Sequence, residues 1–567
     1  MTEVPNEDRL RALGEQIARA PERRGSRRRA ARSRRRRRAK RIVLISLSVL
    51  FVLVAAGAGY VYYLAHGLKR ENVRGLAKAL TSGKEAGTEN ILMAGSTSRC
   101  ALKVQNPAYG ICTPGVANSV NGVNSDVIMI LHVDPTHHRL ALLSIPRDLF
   151  VPNARAGGIN SGGPNKIDAG LYEGLSQVVT SIEEDFGIPI QHAVSLNFDQ
   201  FANIVDALGG INMSFPMSVF DRESGLNVQR ATCVHLNGTQ ALQVVRARHL
   251  QYDAPGSGSN ALYWPQENQS DLARIRRDHE FLRVLASAAA SRGLGNPISD
   301  ATLINSLKSD ITFDQTWSVT DMVNLLLEFH GVNISSVPQL TLPVALVDDP
   351  NGGQYGDLIY NGSSYGQVEF TAQSQDETAI DQVLGTGPGT DTMTGQPLPP
   401  PSSVTVSVEN GTGAYNQATD TSDALAALGF HTVGVGDVSP TGDVAETVVY
   451  YGSRSPSVEA AAESVVDSMT GAVVMAYDPN QVTDNAQVTV VTGSQFAVNP
   501  PPASATTSPS SVGNAATAAT APASTTPVSA TSSDIASPSP PSSSLKPWDP
   551  RACPAGATPT APVPNPT

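Results

Sequence analysis

The segment NSDVIMILHVDPTHHRLALLSIPRD, residues 124–148, decides the fold. It contains two apolar runs of strand length, Val127 to Val133 and Leu140 to Ile145, bounded by Asn, Asp and Pro. A third run of this kind, Asn90 to Gly95, precedes them. Strand-length runs that alternate with helical stretches predict a layered α/β domain. The helical stretches are Leu175 to Phe186, Phe198 to Leu208 and Leu272 to Ala289.

Composition marks the borders of the other regions. Gly and Pro dominate GTGPGTDTMTGQPLPPPSS, which predicts a linker, and a small α+β domain is expected after it. The chain beyond it is mostly Pro, Ser, Thr and Ala and cannot bury enough apolar surface to offset its ordering entropy, so we expect disorder. The predicted regions are a basic arm (1–41), a transmembrane helix (42–64), a stalk (65–87), an α/β domain (88–384, core 88–335), a linker (385–403), an α+β domain (404–496) and a disordered tail (497–567).

One stretch of the tail, LKPWDPRACP at 545–554, differs from its surroundings. Two interpretations stay open: an unstructured remnant, which the composition of the tail favours, and a docking motif.

Residues 42–64, IVLISLSVLFVLVAAGAGYVYYL, carry no charge and are long enough to cross a bilayer as a helix. The arm before them holds 16 Lys and Arg against 5 Asp and Glu, whereas the rest of the chain holds 24 against 46. Because basic flanks stay in the cytoplasm, we expect a single-pass cell-membrane protein with its N-terminus inside and its C-terminus outside. A cleaved signal peptide, cut near Ala55 to Gly59, is the alternative.

The Arg-rich arm could also contact nucleic acid through phosphates. No aromatic or base-reading motif accompanies it, and membrane topology with anionic-lipid contact explains the charge, so we expect no nucleic-acid partner.

All four cysteines follow the apolar segment, in a compartment where disulfides persist. Cys100 and Cys112 close a short loop, and we expect them to be bridged. The partners of Cys233 and Cys553 cannot be read from the sequence. No Cys/His spacing typical of zinc occurs, which argues against a metal–thiolate site.

The common catalytic motifs G-x-S-x-G, H-E-x-x-H, the P-loop and the dinucleotide fingerprint are absent from the sequence. Arginines stand out instead, because the chain beyond the arm is acidic. Arg147 follows an apolar strand, where an α/β sheet presents its ligand-binding edge. Arg274 and Arg277 are three apart and should share one helix face, with Arg276 pointing elsewhere. Such a set suits phosphate, although ordinary surface salt bridges to Asp148 and Asp271 remain open as an alternative.

The quoted residues extend into an ordered series of motifs. The series is NILMAGSTSR, NSDVIMILHVDP, LLSIPRDLFVP, NKIDAGLYEG, FANIVDALGGI, LNGTQALQVVRARH and DLARIRRDHEFL. Over about residues 88–290 it resembles the LytR-CpsA-Psr (LCP) family. Residues 404–496, with VSVENGTG near their start and VTVVTG near their end, resemble the LytR C-terminal domain. The loop between Cys100 and Cys112 is similar to that of actinobacterial members.

This resemblance implies a layered α/β/α catalytic domain that transfers a glycopolymer from a polyprenyl-pyrophosphate carrier to peptidoglycan through a phosphodiester bond. By motif match, the expected pyrophosphate ligands are Arg99, Arg147, Arg248, Arg274 and Arg277. Arg147, Arg274 and Asp271 are the expected catalytic residues. Asp126 is the expected ligand of a Mg²⁺ cofactor.

Three positions depart from the family pattern. Thr97 stands where an Asp is expected and could offer only a hydroxyl to the metal. Asn124 replaces an Arg, and Asp278 replaces a Gln. These departures leave a second hypothesis open, namely a non-catalytic or weakly active envelope scaffold that binds wall polymers or polyprenyl phosphates. A membrane-linked transcription regulator would need a DNA-binding domain, for which the 41-residue arm is too short.

Overall fold

The computed structural model describes eleven stretches of the chain and two single residues, Arg11 and Cys112. The stretches are 68–78, 87–97, 123–155, 163–268, 270–291, 311–329, 332–346, 357–360, 363–439, 446–501 and 544–561. Two compact units, 1–67 and 68–567, divide the chain. The predicted transmembrane helix lies outside the described residues, and none of the described helices combines the length and apolarity needed to cross a bilayer.

The described residues form strands in the following order. They are β1 (Lys69–Glu71), β2 (Glu89–Ser96), β3 (Ser125–Asp134), β4 (Arg139–Ile145), β5 (Phe150–Val151), β6 (Asn165–Lys166), β7 (His192–Asn197), β8 (Ile211–Phe215), β9 (Val219–Asp221), β10 (Leu226–Val228), β11 (Thr232–Leu236), β12 (Gln251–Tyr252), β13 (Thr312–Asp314), β14 (Gln339–Thr341), β15 (Val344–Leu346), β16 (Asp357–Tyr360), β17 (Ser363–Gln367), β18 (Glu369–Thr371), β19 (Thr405–Asn410), β20 (His431–Asp437), β21 (Thr447–Tyr451), β22 (Met469–Gly471), β23 (Val473–Tyr477), β24 (Val488–Thr492), β25 (Phe496–Val498) and β26 (Arg551–Ala552).

The α-helices of the described part follow the same numbering by chain order. They are α1 (Leu175–Phe186), α2 (Phe198–Ala207), α3 (Gly238–Arg246), α4 (Ser270–Ser291), α5 (Val319–Glu328), α6 (Gln375–Leu384), α7 (Gln417–Leu428) and α8 (Pro456–Val466). A 3-10 helix, Ile167–Glu173, precedes α1.

Seven strands form the central sheet in the order β1-β13-β7-β2-β3-β4-β14. β2, β3 and β4 are an antiparallel meander, and β7 runs parallel to β2. The three predicted strands are confirmed as β2, β3 and β4, and the three predicted helices as α1, α2 and α4, each to within two residues at either end. β1 belongs to the region predicted as a stalk, so that part of the prediction is wrong: the chain there already pairs with β13.

Side chains of the central sheet alternate between its two faces, as the pleat requires. Leu92 points into the main core, where Val179 of α1 and Val383 of α6 pack. Its neighbour Ile91 lies on the opposite face, in a cluster with Trp317 and side chains of α5. The sheet is therefore covered on both faces, which gives the α/β/α layering.

A smaller layer, built from the β8–β11 hairpin and helices α2, α3 and α4, adjoins this sheet. Asn197 and Asn237 begin α2 and α3, and each forms a capping box with the Gln three residues later. The two helices approach closely at Gly238, where an added Cβ would lie 2.1 Å from the carbonyl oxygen of Ala202. This packing fixes the end of α3, from which Arg248 follows.

The second domain has a five-stranded sheet in the order β20-β19-β24-β21-β23, with α7 and α8 packed on it. The small α+β domain expected over residues 404–496 is present, with its strands and helices in one layered unit. β23 packs near α1 of the first domain, and the Tyr451 hydroxyl donates to the Glu184 carbonyl at 3.3 Å.

The prediction that residues 497–567 are disordered is wrong for residues 544–561, which we call the docked tail. Strand β26 pairs antiparallel with β8, and Cys553 is disulfide-bonded to Cys233 of β11. Asp549 has no exposed surface. A few residues that each find a partner on the folded domain thus order this segment, although the composition around it is that of a disordered chain.

Candidate functional site

Charged side chains collect at one edge of the central sheet. Thr97 follows β2, Asp126 lies at the start of β3, and Arg147 comes shortly after β4. Because β3 runs antiparallel to both neighbours, these three chain positions share that edge. Residues from β6, from the 3-10 helix, from the segment just after α3 and from α4 join them. The arginine site, as we call it, comprises Asp126, Arg147, Asp148, Lys166, Asp168, Arg248, Asp271 and Arg274.

Arg147 lies at the centre of this site. Its Nη1 forms an ion pair with Oδ1 of Asp126 and lies 3.9 Å from Oδ2 of Asp168. Its Nε lies 3.5 Å from Oδ2 of Asp148 and 3.8 Å from Oδ1 of Asp271. One guanidinium group therefore connects carboxylates that come from four separate parts of the chain.

Two further arginines surround the same carboxylates. Arg274 on α4 places Nη2 2.8 Å from Oδ1 of Asp271 and donates a hydrogen bond to the backbone carbonyl of Asp126. Arg248 places Nη2 2.8 Å from Oδ2 of Asp148 and Nε 3.5 Å from Oδ1 of Asp271. The three arginines thus converge through shared acidic partners rather than as separate surface pairs.

The side chains of the site range from almost fully buried at its floor to partly exposed at its open side. The side chains of Asp271 and Arg274 are only 3% and 2% exposed and form its floor. Arg147, Lys166 and Arg248 keep 19%, 21% and 26% of their side-chain surface exposed. The open side therefore presents three cations, together with the equally exposed carboxylate of Asp126, over a buried ion pair, and the cations are where an anionic ligand would bind.

The arginines control ionisation. Burial alone would raise the pKa of Asp126, but Arg147 and Arg274 hold that pKa below its ordinary value. Burial works against the charge of Arg147, yet its carboxylate neighbours raise the pKa of its guanidinium. Asp168 differs, because burial raises its pKa to about 6 against the opposing effect of Arg147. Asp126 and Arg147 therefore stay charged at neutral pH, while Asp168 titrates just below it.

The Nε atoms of Arg147, Arg248 and Arg274 are buried and make no hydrogen bond to the described residues. Buried N–H groups are nearly always hydrogen-bonded in folded proteins. A guanidinium group also matches phosphate oxygens in a two-pronged geometry. The arrangement can therefore bind an oxyanion and neutralise charge that develops on it.

The structure brings together Arg147, Arg248, Asp271, Arg274 and Asp126, and their predicted roles as pyrophosphate ligands, catalytic residues and metal ligand stay predictions. Predicted ligand Arg99 lies outside the described residues. Thr97 is close by, and its Oγ1 accepts a hydrogen bond from the backbone N–H of Asn124 at 3.2 Å.

Arg277 is not part of the site, so the prediction that it shares a working face with Arg274 is wrong. Its guanidinium is fully buried, pairs with Glu267, lies 3.7 Å from Asp549 and donates to the Ala247 carbonyl. Arg276 pairs with the same two carboxylates. The spacing of residues along a helix predicts only the direction in which a side chain leaves the helix axis. It does not predict which acidic side chains from other parts of the chain will pair with Arg277.

Three of the four cysteines are described, and all three are disulfide-bonded. Cys112 is disulfide-bonded, and the predicted partner Cys100 lies outside the described residues. Cys233 and Cys553 form a second bond across 320 positions. None of the described cysteines is free.

Sequence reasoning missed three members or neighbours of the site. Lys166 places Nζ 2.9 Å from Oδ1 of Asp148, and Asp168 accepts a 3.0 Å hydrogen bond from the Asn124 amide. Glu369 on β18 is buried, which raises its pKa well above the ordinary value, with Asp271 and Asp148 adding to the shift. The block NKIDAG carried Lys166 and Asp168 and could have indicated them; nothing in the local pattern around Glu369 does.

Few side chains of the arginine site are placed to act as ligands of Mg²⁺. Asp126 is the expected carboxylate ligand, and Arg147 and Arg274 already surround it. Among the described residues no group of three or more His, Cys, Asp or Glu side chains is arranged to hold a metal ion. Mg²⁺ is, however, commonly held by one or two carboxylates together with substrate phosphates, and Asp126 fits that more limited role.

Asp278, which replaces the expected Gln, is fully buried on α4. Its Oδ2 lies 3.8 Å from Nε of Arg274. Burial raises the pKa of Asp278 to about 8, although Arg274 and Arg277 act against the shift. At neutral pH it is therefore mainly a neutral acid, which resembles an amide more closely than a carboxylate does.

Comparison with protein families identifies two matching models. The LytR_cpsA_psr family model matches residues 63–379. The model described as LytR cell envelope-related transcriptional attenuator matches residues 403–496.

Several characterised proteins are similar in sequence. The probable cell wall biosynthesis protein LcpB of Corynebacterium glutamicum is 30% identical over 47% of this chain and 57% of its own length. The cell wall biosynthesis protein LcpA of the same organism is 25% identical over 82% and 89%. The polyisoprenyl-teichoic acid–peptidoglycan teichoic acid transferase TagV of Bacillus subtilis is 26% identical over 44% and 58%. The chain thus spans less than two thirds of LcpB and TagV. A solved LytR-Csp2A-Psr enzyme from Actinomyces oris is 21% identical, with a TM-score of 0.40, over 56% of this chain and 97% of that one.

Proposed function

Since the chain belongs to the LytR-CpsA-Psr family, we propose that it transfers a glycopolymer from a polyprenyl-pyrophosphate carrier to peptidoglycan through a phosphodiester bond. The observation that carries this proposal is the convergence of Arg147, Arg248 and Arg274 at one sheet edge, with their Nε atoms buried and without a hydrogen bond to any described residue. The names of TagV and LcpA, which refer to teichoic acid transfer and cell wall biosynthesis, support the same class of reaction.

The proposed chemistry is a single phosphoryl transfer. A hydroxyl of peptidoglycan attacks the phosphorus that bears the glycopolymer, a new P–O bond forms, and the bond to the bridging oxygen breaks. Polyprenyl phosphate leaves, and the hydroxyl proton is released. Such a reaction needs little covalent participation from protein and depends on positioning and charge.

We assign the residues of the site two roles, binding of the pyrophosphate and positioning of the residues that bind it. Arg147, Arg248 and Lys166 face the open side and would bind the non-bridging oxygens of the pyrophosphate. Arg274 and Asp271 form the buried floor, so their role is to hold Arg147 and Asp126 in place. Cations fixed in this way need no reorganisation as negative charge moves toward the leaving group.

Mg²⁺ is part of the proposal through Asp126, with the Thr97 hydroxyl as a second donor. When bound, the ion would neutralise phosphate charge at the site. A membrane anchor at residues 42–64 is also proposed, with the N-terminus in the cytoplasm, because a lipid-linked substrate is presented at the membrane surface.

The test uses purified protein, a prenyl-pyrophosphate-linked glycan and a peptidoglycan acceptor. We expect Arg147→Ala to lower the rate of transfer at least about a thousandfold, because an electrostatic contact in a phosphoryl-transfer site is commonly worth that much. Arg274→Ala should also lower the rate strongly, because it removes the buried group that holds Arg147 and Asp126 in place. The control variant Arg283→Ala should keep the wild-type rate, since Arg283 lies nine positions beyond Arg274 on α4 and pairs with Glu280. Wild-type turnover in both site variants would refute the mechanism.

The second candidate is a scaffold that binds polyprenyl phosphates without turnover. Thr97 and Asn124 favour it, because they replace an expected carboxylate and an expected arginine. Mg²⁺-dependent release of polyprenyl phosphate by the wild-type protein separates the two: release supports the transferase, and tight binding without release supports the scaffold.

A further inference from the structure

The docked tail is attached to the first domain at three kinds of contact. β26 extends the β8–β11 hairpin, with Arg551 opposite Ser214. The disulfide between Cys553 and Cys233 adds a covalent link. Beyond it, Thr560 exchanges backbone hydrogen bonds with β11, donating at 2.9 Å and accepting at 3.0 Å. A segment held at successive points in this way belongs to the folded domain.

The most buried part of the docked tail is Asp549. Its carboxylate accepts a 2.7 Å hydrogen bond from Nε of Arg276, and Oδ1 lies 3.7 Å from Nη1 of Arg277. Beside it, the Trp548 ring stacks on Tyr252 with the ring centroids 4.0 Å apart. Two buried guanidinium groups thus receive part of their compensating charge from a residue more than 270 positions later in the chain.

Glu267 supplies the rest of that charge. It pairs with Arg276 and Arg277 and accepts a 3.1 Å hydrogen bond from Nε1 of Trp548. Without Asp549, Glu267 would be the acidic partner left to both arginines. A buried charge that loses a partner is strongly unfavourable, and the surrounding groups move to relieve it.

Arg277 connects this buried cluster to the arginine site. Its Nη2 donates a hydrogen bond to the carbonyl of Ala247, the residue immediately before Arg248. Arg248 then places its guanidinium on Asp148 and Asp271. The short path from the tail to the site is therefore Asp549 to Arg277, to the Ala247 carbonyl, to Arg248.

We propose that Asp549 is a positioning residue of the arginine site, and that the docked tail sets Arg248 for pyrophosphate binding by holding Arg277 against the Ala247 carbonyl. The inference rests on the proposed function, because it assigns the tail a role at the site that function uses. The contacts of Asp549 on α4 are with Arg276 and Arg277, and of these two residues Arg277 is the one that donates to the Ala247 carbonyl, so the proposed effect on Arg248 passes through Arg277.

The experiment measures binding of geranyl pyrophosphate to the full chain by calorimetry. We expect Asp549→Asn to raise the Kd about tenfold. Asp534→Asn carries the same charge change in the tail but outside the described residues, and should bind like wild type. Intact-mass measurement after thiol blocking verifies that the Cys233–Cys553 bond has formed in each variant.

A double-mutant cycle separates positioning from a general loss of stability. If Asp549 acts through Arg248, the Arg248→Ala/Asp549→Asn protein should bind no more weakly than Arg248→Ala alone, because the element being positioned is already gone. Additive losses in the cycle would overturn the proposal, as would wild-type binding by Asp549→Asn. If Asp549→Asn does not fold, Asp549→Glu, expected to raise the Kd about threefold, takes its place in the cycle.

Glycan transfer by the wild-type protein tests the proposed function independently of the role of Asp549. If the wild-type protein binds geranyl pyrophosphate but transfers no glycan, the transferase proposal falls and the cycle still decides the role of Asp549. If the wild type does not bind the probe, both proposals fall.

Discussion

The arginine site and a second acidic region of the molecule both bury carboxylates, with opposite consequences for ionisation. The second region, which we call the acidic seam, is formed by Asp376, Glu377 and Asp381 of α6 and by Asp467 just beyond α8. In the arginine site, guanidinium groups hold the pKa of Asp126 below its ordinary value against burial. In the acidic seam, burial raises the pKa values, to about 9 for Glu377 and about 7 for Asp376 and Asp467.

The difference lies in the neighbours. The charges that act on Glu377 are those of the other three seam carboxylates, and they add to the effect of burial. Around Asp126 the nearest charges are positive. Burial therefore removes charge in the acidic seam, whereas the arginines preserve the charge of Asp126 against burial in the arginine site. A phosphate site requires the second condition, since it must stay ionised while shielded from water.

The largest effect should come from removing a cation from the arginine site. Arg274→Met leaves Asp126 and Asp271 short of buried positive charge, and we expect the free energy of unfolding to fall by about 3–5 kcal/mol. Urea denaturation of the first domain measures it. Arg283→Met on the same helix removes a partly exposed pair with Glu280 and should cost no more than about 1 kcal/mol. Equal losses would mean that burial of the ion pair does not matter.

An intermediate effect is expected in the acidic seam. The folded-state pKa values there are raised, so the stability that these groups contribute is complete below about pH 4 and is lost as the pH rises through 7 to 9. Glu377→Gln removes one titrating group and should raise the free energy of unfolding at pH 9 by about 1–2 kcal/mol, with less change at pH 6.

Thermal unfolding at the two pH values checks this, with the exposed Glu223→Gln as control. A gain for Glu377→Gln that is the same at pH 6 and pH 9 would contradict the assignment of a raised pKa.

The smallest effect concerns Asp278, a carboxylate next to Arg274 of the arginine site whose pKa is raised like those of the acidic seam. Burial raises its pKa to about 8, so its stabilising contribution is lost above that pH. Asp278→Gln should change the free energy of unfolding at pH 6 by no more than about 1 kcal/mol, since an amide replaces a neutral acid. Between pH 7 and 9 the variant should lose less stability than wild type. A steeper loss in the variant would show that Asp278 is charged in the folded protein.

Much of the fold could be predicted, because strands and helices are indicated by the length and periodic spacing of apolar residues along the sequence. The two apolar runs before Arg147 predicted β3 and β4. In the structure these strands pair antiparallel, so Asp126 and Arg147 lie at the same edge of the sheet. The position of Arg248 and Arg274 at that edge followed from family motifs rather than from period. Lys166, Asp168 and Glu369 were missed, since their role depends on which charges approach them in space.

The amino-acid sequence by itself determined strands β2, β3 and β4, helices α1, α2 and α4, the contrast between a basic arm and an acidic body, and the motifs of the family. Only the tertiary structure decided that Arg277 leaves the arginine site, that Cys233 pairs with Cys553 and that a segment of a Pro/Ser/Thr-rich tail is ordered. Local patterns record the interactions of residues a few positions apart. Asp549, one partner of Arg277, and Cys553, the partner of Cys233, lie hundreds of positions later in the chain, so only the folded chain brings them together.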